Sequence, residues 1–321
     1  MLSEGGAIGV ERKLDNSVQM IRPTVAGPIT EDVMQFSSVT DGFRLAYDRT
    51  GSGKSVVLLH GWPGDRTDYN LLMPKLAGEA DVIVPDLRGF GESDKHLVDP
   101  TLAYSPNGQA AAVIALLDEL GVKSAVLAGY DVGSLVAQTV ARLRRDLVGG
   151  LVVSPPLPGA GERVLELQPV KEFWYTSFHQ LQVSVDLLDG NAEGIRKYLR
   201  HFWSHWSGRN YVVDERRIEH LVSVYSPKGA FEASLGWYRS AGNPVTAYAE
   251  EEIPAASERL TTPTTILWQE FDAIFPRGFS DRLDKFFTNY ELELLDGVGH
   301  FTPIEATDRF AQVIKKRLDR V

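Results

Sequence analysis

One stretch constrains the fold of this chain more than any other: Ala125-Val126-Leu127-Ala128-Gly129-Tyr130-Asp131-Val132-Gly133-Ser134. Its apolar first half reads as a buried strand, and from about Ser134 to Arg145 the spacing turns helical. Between them two glycines bracket a carboxylate. Glycines at such a junction allow a sharp turn and close backbone approach, so the chain passes from strand to helix with Asp131 at the bend. Taken alone, an aspartate at such a bend is ordinarily a turn residue or a helix N-cap.

The surrounding sequence repeats the strand-to-helix theme. Phe36 to Thr40 and Phe43 to Thr50 read as two strands joined by Asp41-Gly42, a dipeptide suited to a tight hairpin. Val56 to Leu59 and Val82 to Pro85 are apolar runs expected as buried parallel strands, with helical spacing at Tyr69 to Leu76 between them. Gln109 to Leu120 predicts a helix closed by Gly121, followed by strands at Ser124 to Ala128 and Leu151 to Ser154. Later come a strand at Thr264 to Trp268, a helix at Arg277 to Phe287, a strand at Tyr290 to Leu294 and a last helix at Ile304 to Leu318. Alternation of this kind implies an α/β fold with a mainly parallel central sheet flanked by helices.

The alternation is interrupted after Pro155-Pro156-Leu157-Pro158-Gly159 by helical, aromatic-rich sequence. The expected organisation is an N-terminal extension over 1–35, a core formed by 36–154 and 250–321, and an all-helical cap inserted over 155–249.

Composition narrows the function. A net charge of −10 gives no electrostatic footprint for nucleic acid or an anionic membrane surface, and neither is expected as a partner. The absence of cysteine excludes disulfides, thiolate nucleophiles and cysteine-held metals. No apolar run reaches the roughly 18 residues of a membrane span, and a signal-peptide pattern is absent, so a soluble, cytoplasmic protein is the expectation. Gly51-Ser52-Gly53-Lys54-Ser55 imitates the end of a phosphate-binding loop, but Asp48 stands where that motif needs a glycine, and a strand rather than a helix follows. His201 and His205 share helical spacing without a third ligand, so they read as packing rather than a metal site. No cofactor is implied.

Taken together, the motifs resemble the α/β-hydrolases. The segment Gly129-Tyr130-Asp131-Val132-Gly133 is similar to that family's nucleophile elbow, with aspartate where serine usually stands. Gln269-Glu270-Phe271-Asp272 follows one expected strand and Asp296-Gly297-Val298-Gly299-His300 follows the last, in the family's order of nucleophile, acid and histidine. The resemblance implies Asp131 as nucleophile, His300 as general base and Asp272 as the acid that orients it, with Glu270 as the fallback. It also implies an oxyanion hole formed by the backbone N–H groups of Trp62, in His60-Gly61-Trp62-Pro63, and of Val132. His60 is expected to support that turn structurally.

A carboxylate nucleophile restricts the substrate. Aspartate is ionised near neutral pH without help, its reference pKa being about 3.9. Attack on an acyl carbon would give a labile anhydride, whereas attack on an electrophilic sp³ carbon gives an alkyl ester that His300-activated water can hydrolyse. Asp-nucleophile relatives include epoxide hydrolases, haloalkane dehalogenases and haloacetate dehalogenases. The dehalogenases are similar to one another in carrying Trp or Arg directly after the nucleophile, where this chain has Val132. The segment Phe173-Trp174-Tyr175 and the Tyr238-Arg239 pair resemble the cap sites whose tyrosines meet the alkoxide in bacterial epoxide hydrolases. The resemblance thus implies a cofactor-free epoxide hydrolase acting on a small-molecule epoxide and water, with Tyr175 and Tyr238 serving the leaving oxygen. A dehalogenase using the same nucleophile is the alternative, and a non-catalytic hydrolase-like receptor is a further one. Phe202, Trp203 and Trp206 are expected in packing, some of them at the pocket. A homo-oligomer is left open.

Overall fold

The computed structural model describes residues 34–240 and 242–321, so the expected N-terminal extension falls outside the described residues as far as residue 33. Among the described residues eight strands form one sheet: β1 (Gln35–Phe36), β2 (Ala46–Gly51), β3 (Lys54–Leu59), β4 (Ala80–Pro85), β5 (Ala125–Gly129), β6 (Val148–Val153), β7 (Thr264–Gln269) and β8 (Tyr290–Leu295). Their spatial order is β1-β2-β4-β3-β5-β6-β7-β8. The first two pairings are antiparallel and the remaining five parallel. Every residue of β4 and β5 is buried, as are Val56 to Leu59 of β3. That is why the central strands read as unbroken apolar runs: helices cover both faces. At the edge, β8 carries an exposed Glu291 and a half-buried Glu293, charges that discourage pairing with another chain.

The hairpin at Asp41-Gly42 is present, with both residues at positive φ (52° and 85°) between the bridged pair Thr40 and Phe43. Its strands are shorter than expected, since regular pairing starts at Gln35–Phe36 and Ala46. Two expected helices also differ. Tyr69 to Leu76 divides into a 3₁₀ turn at Arg66–Tyr69 and a single turn at Met73–Leu76. Arg277–Lys285 is a 3₁₀ helix rather than an α-helix; Gly278 weakens any α-helix there, and only Phe279 and Leu283 are buried. Lys54 opens β3 and donates through Nζ to the Leu318 carbonyl, a structural contact that disposes of the phosphate-loop reading.

The segment between β6 and β7 is helical, with its longest helices at Ala192–His205 and Glu215–Tyr225. It seats on the turn that follows β3. Trp203 Nε1 donates to the Pro63 carbonyl at 3.1 Å, and the Tyr225 hydroxyl to the Gly64 carbonyl at 2.9 Å. Buried Asp65 meets His220 at 2.6 Å and buried Asp68 meets Arg217 at 2.6 Å. Pairing of this kind is what permits two carboxylates to sit without solvent, because an unpartnered buried charge is strongly destabilising.

Three glycines set the packing at the centre. Parallel pairing places Leu59 opposite Gly129. A Cβ on Gly133 would lie 1.9 Å from the Leu59 carbonyl oxygen, one on Gly129 would lie 2.6 Å from the Gly133 carbonyl carbon, and one on Gly61 would lie 2.4 Å from Asp131 Cβ. Gly133→Ala is therefore expected to lose at least about 3 kcal/mol of stability, at the upper end of overpacking costs. Denaturant unfolding measures this directly, and an unchanged midpoint would contradict the packing described.

Candidate active site

Asp131 caps the helix Val132–Leu143 with φ 50° and ψ −127°. A non-glycine residue in this region carries backbone strain on the order of 1–3 kcal/mol, retained only where neighbours over-determine it. They do so here: the Asp131 N–H donates to the Pro155 carbonyl at 3.1 Å, and its own carbonyl accepts from Ser134 N at 3.0 Å. The side chain remains 9% exposed, enough to meet a small molecule and too little to be solvated as a surface acid.

Its two oxygens are in different environments. Oδ1 accepts from the Trp62 backbone N–H at 2.7 Å. Oδ2 lies 3.4 Å from His300 Nε2. Val132 is the first residue of the helix, where a backbone N–H has no intrahelical acceptor. The His60 expectation holds in detail: Nδ1 donates to the Gly61 carbonyl at 2.9 Å while Nε2 accepts from Leu87 N at 3.0 Å, fixing a neutral tautomer under the turn.

His300 is fully buried, and its Nδ1 donates to Asp272 Oδ2 at 3.0 Å. The other oxygen of Asp272 accepts from Ile274 N and Phe275 N at 2.8 and 2.9 Å, which holds the carboxylate in place. Burial alone would drive the imidazolium to lose its proton. Asp272 on one side and Asp131 on the other outweigh it, and the His300 pKa is pushed up to about 10. Glu270, the fallback acid, is exposed and accepts from Gly297 N at 2.8 Å, so it anchors the turn before His300 rather than facing its ring.

Tyr175 and Tyr238 reach the same place. Their rings stand 5.7 Å apart, edge to face, and each lies 5.7 Å from the Trp62 indole, Tyr175 parallel and Tyr238 perpendicular. Burial foremost, together with the Asp131 charge, holds both phenols well above the usual tyrosine pKa, so both hydroxyls stay protonated.

Sequence carried no signal for His179 or Tyr198 beside this site, whereas Phe202 and Trp206 are among the aromatics expected near the pocket. The Trp62 indole Nε1 is buried without a hydrogen-bond partner among the described residues, and so is Nδ1 of His179, whose ring lies 4.5 Å from Tyr238 and whose Nε2 meets the Tyr198 hydroxyl at 2.9 Å. Trp206 stands 5.0 Å from His300 and 5.2 Å from Tyr175. Phe202, 4.8 Å from Trp62, lines this aromatic group, whereas Trp203 stacks on Phe301 at 3.8 Å outside it. His205 pairs with Glu172 at 2.7 Å and stacks with His201, and no cluster of three metal-ligating side chains occurs among the described residues. A groove lined by Arg49, Gly51, Gly53 and Asp81 opens at the amino end of β3, away from Asp131, and its Arg49 and Asp81 are paired with each other.

The model of the alpha/beta hydrolase fold family matches residues 54–307. The chain belongs to this family. It is 29% identical over 286 residues to the "Soluble epoxide hydrolase" of Corynebacterium sp. (strain C12), covering 86% of this chain and 94% of that protein. Among solved structures it is similar to the ligand-free epoxide hydrolase CorEH, at 27% identity and a TM-score of 0.74, covering 89% and 98% of the two chains. A putative acyltransferase from Salmonella enterica aligns with a TM-score of 0.78 at 24% identity, covering 92% and 98% of the two chains. Backbone likeness at that level describes the fold alone, so the reaction has to be argued from the site.

The charge order also predicts a pH effect. A folded-state pKa of about 10 lies above the ordinary histidine value of 6.5, so protonated His300 contributes stability that is fully present below pH 6.5 and is lost as pH rises through about 10. Wild type should therefore lose melting temperature between pH 7 and pH 10 more steeply than His300→Gln, and parallel profiles would refute the assignment.

Proposed function

We propose that this chain is an epoxide hydrolase that works through a covalent ester of Asp131. The observation that carries the reading is the line Asp272–His300–Asp131, with two protonated tyrosines gathered near the same carboxylate. In the first step Oδ2, which lacks the backbone donor that Oδ1 has, attacks a ring carbon of the epoxide; the C–O bond breaks, and the departing alkoxide takes its hydrogen bonds, and then a proton, from Tyr175 and Tyr238. Esterification removes the Asp131 charge. With one of its two anionic neighbours gone, His300 holds its proton less tightly; that proton restores the tyrosine hydroxyl that served the alkoxide and leaves the neutral imidazole required next.

In the second step His300 Nε2 takes a proton from water, and the hydroxide adds to Asp131 Cγ. Negative charge develops on Oδ1, the oxygen already facing the Trp62 N–H, with the Val132 N–H as second donor. Asp272 stabilises the imidazolium while the tetrahedral intermediate collapses; the bond from Cγ to the ester oxygen breaks, and that oxygen takes the proton of the added hydroxyl, which releases the diol and restores the carboxylate. The relatives named as epoxide hydrolases support this choice of substrate.

A specific observation favours a second reading. The buried, unpartnered Trp62 indole N–H is the type of donor that holds a departing halide, which would suit a dehalogenase using the same nucleophile. Turnover separates the two: the epoxide reading expects diol formation, whereas chloride release from haloalkanes without diol from epoxides would replace it.

Single turnover in oxygen-18 water with enzyme in excess is expected to leave label in the Asp131 carboxylate; label only in the diol would mean direct attack by water. His300→Gln should accumulate the alkyl-enzyme, visible as a mass increase on the Asp131 peptide. Replacing both Tyr175 and Tyr238 by Phe should slow ring opening roughly 10²-fold or more, the usual scale of general acid catalysis. An unslowed opening step would remove the tyrosines from the reaction.

A further inference from the structure

His300 sits in a loop held by the carboxylate of Glu305. Glu305 is largely buried, and its side chain accepts three backbone N–H groups: Oε2 from Gly208 at 2.7 Å and from Gly299 at 2.9 Å, Oε1 from Phe301 at 3.0 Å. Two of these donors flank His300 directly. The third belongs to the helical segment between β6 and β7, two residues beyond Trp206, whose carbonyl accepts from the His300 N–H at 2.8 Å. Gly208 and Gly299 lie back to back: a Cβ on Gly299 would come within 2.2 Å of Gly208 N, and one on Gly208 within 2.4 Å of the Gly297 carbonyl oxygen. The His300 loop and the chain carrying Trp206 are thus held together around one acid.

We propose that Glu305 is a positioning residue for the hydrolytic step, locking the His300 loop to the chain segment that carries Trp206 and so fixing Nε2 relative to Asp131. The inference rests on the reading of His300 as the base of that step. A carboxylate suits the task because it offers only acceptors, and all three amides point inward. Glutamine at this position keeps the volume but turns one oxygen into a donor that faces an N–H, so at least one of the three contacts is lost. Small misplacement of a general base is costly to rate while leaving binding of the substrate intact. Trp206 gives the lock a second consequence, since its ring is the aromatic neighbour shared by His300 and Tyr175.

The test is Glu305→Gln, studied by stopped flow and in the steady state with an epoxide that wild type turns over. Alkylation of Asp131 should keep its rate, while hydrolysis of the ester slows about tenfold. Once hydrolysis limits turnover, kcat and KM fall together and kcat/KM stays within about twofold of wild type. A purely structural role would lower the active fraction, seen as a reduced burst amplitude and reduced kcat at unchanged KM; that pattern, or unchanged hydrolysis, overturns the proposal. Hydrogen exchange of the resting protein gives a readout free of substrate. The peptides covering 206–208 and 297–301 should both exchange faster in Glu305→Gln, and unchanged exchange in either overturns the lock. If wild type never forms an Asp131 ester, the epoxide reading fails on its own, and the exchange measurement still decides whether Glu305 joins the two segments.

Discussion

The structure depends on one close approach, that of β3 and β5 at their carboxyl ends. Pairing of Leu59 with Gly129 brings the His60-Gly61-Trp62 turn within hydrogen-bonding reach of the helix start, and there is space for it only because Gly61, Gly129 and Gly133 lack side chains. This contact forces Asp131 to positive φ and supplies the Trp62 N–H to Oδ1. Strain and hydrogen bonding are two aspects of the same packing. Relaxing the backbone at 131 would swing the carboxylate off its donor, and removing the donor would leave a strained residue with less to hold it.

The electrostatics follow from that geometry. Two carboxylates with an imidazole between them, all but fully withdrawn from water, are stable as a set only if the middle group is charged, and this is the physical content of the elevated His300 pKa. Reaction at Asp131 would break the symmetry of the arrangement. An ester is neutral, so the imidazolium would keep one partner instead of two. The same three residues can then favour a protonated ring before attack and a basic ring after it, with no movement of the chain.

Much of this was legible in the sequence because it is local. The elbow declares itself through two glycines four residues apart, and Asp272 and His300 each follow a recognisable strand. The choice between Asp272 and Glu270 was harder, since both lie just beyond β7; the fold decides it by turning Asp272 onto two amides and His300 while Glu270 faces out to Gly297. What could not be read is whatever depends on segments far apart in the chain. Nothing about His220 or Arg217 announces that they meet Asp65 and Asp68, some 150 positions earlier. Nothing about Trp62 beyond its place in the turn announces that its indole is ringed by Tyr175, Tyr238 and Phe202. That Arg277–Lys285 winds as a 3₁₀ rather than an α-helix is not legible either, because periodicity reports which side is apolar and not how tightly the backbone winds.

The contacts around the turn after β3 also bear on how the helical segment between β6 and β7 relates to the nucleophile. That segment is tied to the turn at Pro63, Gly64, Asp65 and Asp68, and to the His300 loop through the Trp206 carbonyl and Gly208. Asp68 in turn accepts from the hydroxyl of Tyr130, the residue before the nucleophile, at 2.6 Å. The Trp62 turn, the His300 loop and the chain leading into Asp131 are thus each fastened to the segment that carries Tyr175 and Tyr238. Side chains with a defined reaction geometry must be held to within fractions of an ångström, and groups borne on separate pieces of chain achieve this only when the pieces are joined close to the groups themselves. The buried carboxylates of Asp65, Asp68 and Glu305 make those joints. Their placement lets Tyr175 and Tyr238 stand on the helical segment between β6 and β7 while both rings gather at the Trp62 indole, whose own backbone N–H meets an Asp131 fixed by the sheet.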